Sequence, residues 1–288
     1  MEQVKSLQES KKYRIPINYN HFNQEIIVKL VELINDKYHK IFVAVFVHGS
    51  ISSNDVIKYS DFDGIYILKD RYQDSLELKR FLSDSMKIIY EFDPLQHHGW
   101  FHLLESELND YKDNYLPVIA LKNSICLFKR NNEDLIIESR TNQLDYVNSL
   151  IKNLNSINNL VKSNWTPKNI FQLKSFLSRI MLIPAQYYSA FNGKGILKKD
   201  SFIVIQKVFN QYEWFPIAIA SEIREKWEYE LNFFQKKIMT QNTTFSRKIT
   251  KLFAAPSVPK NINKKLDDKF YNSLKSMIDE IFLRLNNI

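Results

Sequence analysis

The chain has 288 residues, 44% of them apolar and 25% charged, with a formal net charge of +8. That length and balance suit one large or two ordinary globular domains, argue against disorder over most of the chain, and favour anionic partners without choosing among nucleotides, nucleic acid and acidic lipid. A single cysteine, Cys126, excludes an internal disulfide; no apolar run reaches the ~18 residues of a spanning helix; and the N-terminus lacks a signal-peptide pattern, so a cytoplasmic protein with no membrane partner is expected.

In chain order, the first twenty or so residues are polar, broken by Pro16, and read as an arm. Ile26, Ile27, Leu30, Val31 and Ile34 have the spacing of an amphipathic helix over residues 23–38. The β-branched and aromatic run from Ile41 to Val47 reads as a buried strand. After Gly49-Ser50 the pattern predicts a short helix or turn, a strand from Phe62 to Leu68, a helix over residues 73–90, and a strand from Gln96 to Leu104. Strands at 124–128 and 135–138, joined by the turn-like Arg130 to Asp134, suggest a hairpin. This order predicts a mixed α/β sheet domain up to about residue 140.

From Asn142 the period changes. Leu144, Val147, Ile151, Leu154, Ile157 and Val161 mark a long amphipathic helix, and Pro167 suggests a restart at a first helical turn. Further helices are predicted over 169–191, 199–209, 215–239 and 264–285, with Asn192-Gly193 as a stop. Residues 141–288 therefore read as an all-α bundle. The short basic pairs Lys11-Lys12, Lys198-Lys199, Lys236-Lys237 and Lys264-Lys265 read as solvated helix faces. With no zinc-finger or RNA-recognition spacing, nucleic acid is not an expected partner.

Only five glycines occur, and Gly49, Gly64 and Gly99 fall in one stretch with Ser50, Asp61 and Asp63. A glycine at a strand end lets backbone N–H groups approach a phosphate, and the Ser50 hydroxyl adds a donor. Residues two apart on a strand share a face, so Asp61 and Asp63 are expected to project together, about 7 Å apart. Two such carboxylates resist burial unless cations neutralise them.

Together, Gly49-Ser50, ten intervening residues and Ser60-Asp61-Phe62-Asp63 resemble the signature of the DNA polymerase β-like nucleotidyltransferases, and the two-part layout is similar to that of the aminoglycoside adenylyltransferases. The resemblance implies an α/β nucleotidyltransferase domain with a mixed sheet over residues 1–140, followed by the helical domain. It also implies Asp61 and Asp63 as ligands of two Mg²⁺ ions, and Gly49 and Ser50 as contacts to the phosphates of ATP or another nucleoside triphosphate. The implied reaction passes a nucleoside monophosphate to an acceptor hydroxyl, a small molecule such as an aminoglycoside being the first expectation. The looser likeness of residues 179–202 to the helical domain of those enzymes brings Lys194, Lys198 and Lys199 into consideration as triphosphate contacts.

Family members carry a third carboxylate on the next strand, where this chain has Gln96, counted here among the nucleotide contacts. Alternation would set Gln96, His98 and Trp100 on one face, and His98 is the expected general base, since an imidazole titrates near neutrality. Asp93 is the weaker substitute. The missing acid leaves open an alternative: a non-catalytic nucleotide-binding or regulatory module of the same fold. Nucleobase, acceptor and oligomeric state are not encoded in any local motif.

Overall fold

In the computed structural model, which describes residues 10–19, 24–131 and 133–286, the expected polar arm holds a strand, β1 (Lys11–Ile15). Helix α1 (Glu25–Leu33) buries Ile26, Ile27 and Leu30 and runs on into a π-helical turn, Ile34–Tyr38. Strand β2 (Phe42–His48) is buried along nearly its whole length, which is why its sequence is continuously apolar rather than alternating. Strand β3 (Asp63–Leu68) runs antiparallel to it, with His48 opposite Asp63. Helix α2 (Leu76–Phe92), capped by the Ser75 hydroxyl accepting from Leu78 N, crosses over to β4 (Phe101–Leu104), which is parallel to β3. A parallel pair requires such a crossover.

Next come the short helix α3 (Val118–Lys122) and strands β5 (Ile125–Lys129) and β6 (Leu135–Ser139). The main sheet has the order β4-β3-β2-β5 with one parallel pair, so the sheet is mixed, as expected. Two expectations fail here. The β5 and β6 strands form no hairpin: β5 pairs with β2, and β6 pairs with β1. The strand after Pro94 begins at Phe101, because Asp93 turns the chain by accepting Leu95 N on its carboxylate, and Gln96 to Trp100 follow as irregular backbone.

The remainder is helical. Helix α4 (Gln143–Lys162) opens on a reciprocal cap between Asn142 and Asp145. Helix α5 (Ile170–Ile180) starts at an Asn169 cap rather than at Pro167, and the expected single helix over 169–191 divides at Met181-Leu182, with α6 (Ile183–Asn192) restarting on Pro184. Gly193 ends α6 at φ 62°, as expected of Asn192-Gly193. Then follow α7 (Lys198–Ile205) and α8 (Gln211–Glu225). The predicted helix over 215–239 breaks after α8, and Asn232 caps a separate α9 (Phe233–Met239). Helix α10 (Thr244–Ile249) continues as a π-helical turn to Ala254, and α11 (Lys260–Asn263) and α12 (Asp268–Leu285) complete the chain.

The apolar core is in three parts. One lies under α1 and α2 on one sheet face, a second lies on the other face with β1, β6 and α3, and the third fills the helical half. Tyr59 and Leu95, from the sheet-bearing half, belong to the third. The two halves therefore meet through the two segments that flank the aspartates and the histidines. Among the described residues no helix is long and apolar enough to cross a membrane.

Candidate functional site

The Gly49-Ser50 turn closes directly after β2. Gly49 stands at φ 72°, and a Cβ there would come within 2.6 Å of Asp63 Oδ2. Only glycine lets the turn and that carboxylate approach so closely. The turn is braced from within, since Gly49 O accepts from Ser52 Oγ at 3.0 Å and Ser53 N at 3.2 Å, and Ser50 O accepts from Asp55 N at 2.9 Å.

Asp61 lies just ahead of β3 and Asp63 opens it, with Phe62 between them turned into the core. Gln96 fixes this segment. Its Oε1 accepts from Phe62 N and its Nε2 donates to Phe62 O, both at 2.9 Å, so the amide acts like a strand neighbour to one residue. A glutamate could accept from Phe62 N but could not donate to Phe62 O. Gln96 is 2% exposed, and its side chain is engaged with backbone rather than presented to a nucleotide. The expected alternation also fails, because the segment is not a strand: Gln96 and Trp100 are buried, while His98 turns to the acids.

Both histidines reach the aspartates. His97 Nδ1 is 3.5 Å from Asp61 Oδ1, and His98 Nε2 is 3.3 Å from Asp63 Oδ1. Burial would lower His98, but the hydrogen bond and charge of Asp63 outweigh it and raise its pKa to about 9. At neutral pH His98 is thus an imidazolium, donating through Nε2 to Asp63 and through Nδ1 to Gly99 O at 3.0 Å. In this arrangement it holds a proton that a base would have to accept.

The residue that sequence reasoning missed is Lys174. It sits on α5, fully buried, with Nζ 2.9 Å from Asp61 Oδ1 and 2.7 Å from Asp93 Oδ2. Burial works against its charge, yet Asp93 and Asp61 raise its pKa. Burial also works against Asp61, whose carboxyl is nonetheless held well below the usual range by Lys174 and His97. Asp93 lies deeper; there burial prevails over Lys174, and its pKa rises to about 6. Tyr59 locks the arrangement, its hydroxyl meeting Lys174 O and Ser178 Oγ, each at 2.9 Å. The signal was present in the sequence: Lys174 falls on the buried stripe with Ile170, Leu173 and Leu177.

Lys198 opens α7, part-exposed by its surface area but close enough to Asp63 and Asp61 to feel their charge. Burial and the neighbouring Arg224 lower its pKa to about 8, while Asp63 and Asp61 pull it upward. Lys194 and Lys199 are exposed, and Lys199 stands no nearer than 4.0 Å to Asp55. Among the described residues, three buried polar atoms at the site make no hydrogen bond: Asp61 Oδ1, which has only ionic contacts with Lys174 and His97, His97 Nδ1 itself, and His48 Nε2. His48, opposite Asp63, is lowered by burial and so is neutral. Asp61, His97 and His98 each offer a ligand atom, all within 4.8 Å of one another, so this group has the spacing to hold a metal ion. A cavity of about 850 Å³ opens beside Ser60, between residues 56–60 and 225–228, but neither aspartate lines it. Compared with models of protein families, with curated proteins and with solved structures, the chain matches none.

Proposed function

We propose that the chain is a metal-dependent nucleotidyltransferase, passing a nucleoside monophosphate from a triphosphate, ATP by default, to an acceptor hydroxyl on a small molecule, with release of pyrophosphate. The observation that carries this reading is the fit of the Gly49 turn against Asp63, 2.6 Å from a notional Cβ to the carboxylate, with Asp61 two residues away. A turn that receives phosphates and an acid that receives a cation are useful together only if the ligand carries both.

The donor set fits a divalent cation. Asp61, with Asp63 added from the resemblance, suits Mg²⁺, and the imidazoles of His97, and of His98 once it has lost its proton, shift the preference toward Mn²⁺. Because Lys174 already places a positive charge on Asp61, we propose one ion rather than the two expected from the resemblance. Such an ion would neutralise phosphate oxygens and the departing pyrophosphate. The chain's own groups do the rest: Gly49 and Ser50 seat the phosphates, Lys198 and Arg224 add charge from the helical side, and Gln96 holds Phe62 so that the two acids keep their places. His98 acts as a donor while Asp63 keeps it charged, and it accepts a proton only when Asp63 is otherwise neutralised.

One observation favours a second reading. Gln96 is fully engaged and Asp93 is tied to Lys174, so the third-acid role has no free carboxylate, as in a nucleotide-binding module without turnover. Labelled nucleotide transfer and pyrophosphate release, measured with Mn²⁺ or Mg²⁺ over a panel of nucleotides and hydroxyl acceptors, separate the two. We expect metal-dependent transfer, reduced at least about a hundredfold by Asp63→Asn. Nucleotide binding without transfer would select the module; no metal-dependent nucleotide binding would sink both.

A further inference from the structure

Between Leu231 and Leu266 the chain has eight basic residues and no aspartate or glutamate. Of 40 basic and 32 acidic residues in all, this segment alone accounts for the net charge of +8, and the rest of the chain is balanced. A solvated face ordinarily mixes both signs. The segment holds α9, α10, the turn to Ala254 and α11, and five of its basic residues, Lys236, Lys237, Arg247, Lys248 and Lys251, fall on the first three.

Its packing is inverted. Over residues 244–254 the buried positions are Ser246, Thr250 and Ala254, which are small, whereas Phe245, Leu252 and Phe253 point outward. Phe233 and Phe234 on α9 are also outward, and these five side chains are 58–80% exposed. Lys236, Lys237, Lys248 and Lys251 are exposed among them. Large apolar side chains displayed beside lysines, on short helices with small residues beneath, are the pattern of an interfacial surface rather than a solvated one.

We propose that this face docks peripherally on an anionic lipid surface, the phenylalanines and Leu252 entering the boundary and the lysines meeting phosphate headgroups. A second copy of the same face is disfavoured because it would set the exposed lysines of α9, α10 and the turn against one another, and the segment itself carries no carboxylate to relieve them. Single-stranded nucleic acid is less well suited, since Phe233 and Phe234 meet edge to face at 78° and leave no parallel platform for stacked bases. The expectation of no membrane partner rested on the lack of a spanning run, and a peripheral contact needs none. The face also has a route to the candidate site: Arg247 reaches inward, its Nη2 donating to Gln96 O at 2.9 Å and its guanidinium lying 3.7 Å over the Tyr90 ring.

The test is flotation of the full chain with vesicles of phosphatidylcholine, alone or with phosphatidylglycerol. We expect binding only to the anionic vesicles, released by high salt, weakened about fivefold by each of Lys248→Glu and Lys251→Glu, and weakened at least about tenfold by the combined F245S, L252S and F253S changes. The pair F233S and F234S is a second variant should the first fail to fold, as judged by near-UV circular dichroism. Absence of flotation, equal flotation on both vesicle types, or indifference to these variants would overturn the proposal. So would tight oligonucleotide binding lost in the same variants without any vesicle binding. None of these readouts depends on catalysis.

Discussion

Lys174 holds an ammonium between two carboxylates where solvent does not reach, 2.9 Å from Asp61 and 2.7 Å from Asp93. Burying a charge is costly, and removing one partner leaves the others unpaired. Lys174→Ala is therefore expected to destabilise the protein by about 3–5 kcal/mol, measured by urea unfolding, and adding Asp93→Ala should restore part of that loss. His98 supplies a pH signature. Its folded pKa, about 9, lies above the ordinary histidine value of 6.5. The stability it contributes is therefore fully present below pH 6.5 and lost as pH rises through 9. In metal-free protein the urea midpoint should fall over that window, and His98→Gln should flatten the fall. A wild-type midpoint that does not change between pH 6.5 and 9.5 would remove the imidazolium assignment.

At the scale of elements, the Gly49 turn and β3 are built against each other. Gly49→Ala must place a Cβ both at positive φ and against Asp63 Oδ2, so it should cost about 1–2 kcal/mol and displace the acid. The expected readout is a lowered unfolding midpoint together with weakened Mn²⁺ binding by titration calorimetry; unchanged metal affinity would show the close approach to be incidental. The β2 and β3 strands were legible in the sequence because buried strands write themselves as apolar runs, and the turn because glycine is rare in this chain. The strand from Gln96 was misplaced because the Gln96 side-chain amide, not its backbone, bonds Phe62, so residues 96–100 hold their place beside β3 without strand pairing. Lys174 was hidden by distance, 81 residues from Asp93, although its place on an apolar stripe gave it away locally. Outward Phe233 and Phe234 were hidden by reading residues 215–239 as one helix, which concealed the break before α9.

At the scale of the molecule, the two halves share both a core and a charge cluster. Tyr59 and Leu95 pack in the helical core, and the helical half supplies the cation that neutralises Asp61 and Asp93. A fragment ending at residue 140 should then lack a cooperative unfolding transition by circular dichroism, whereas the whole chain should unfold in one step. A fragment that melts cooperatively would mean the sheet domain stands by itself. The pairing of Asp61 with Lys174 has a practical consequence for anyone seeking a catalytically dead control. Neutralising Asp61 leaves the buried ammonium with Asp93 alone, so a silent Asp61→Asn protein confounds lost chemistry with a damaged scaffold. Asp63, whose charged neighbour is the part-exposed His98, is the position at which the proposed transfer can be tested with the buried ion pairs of Lys174 left in place.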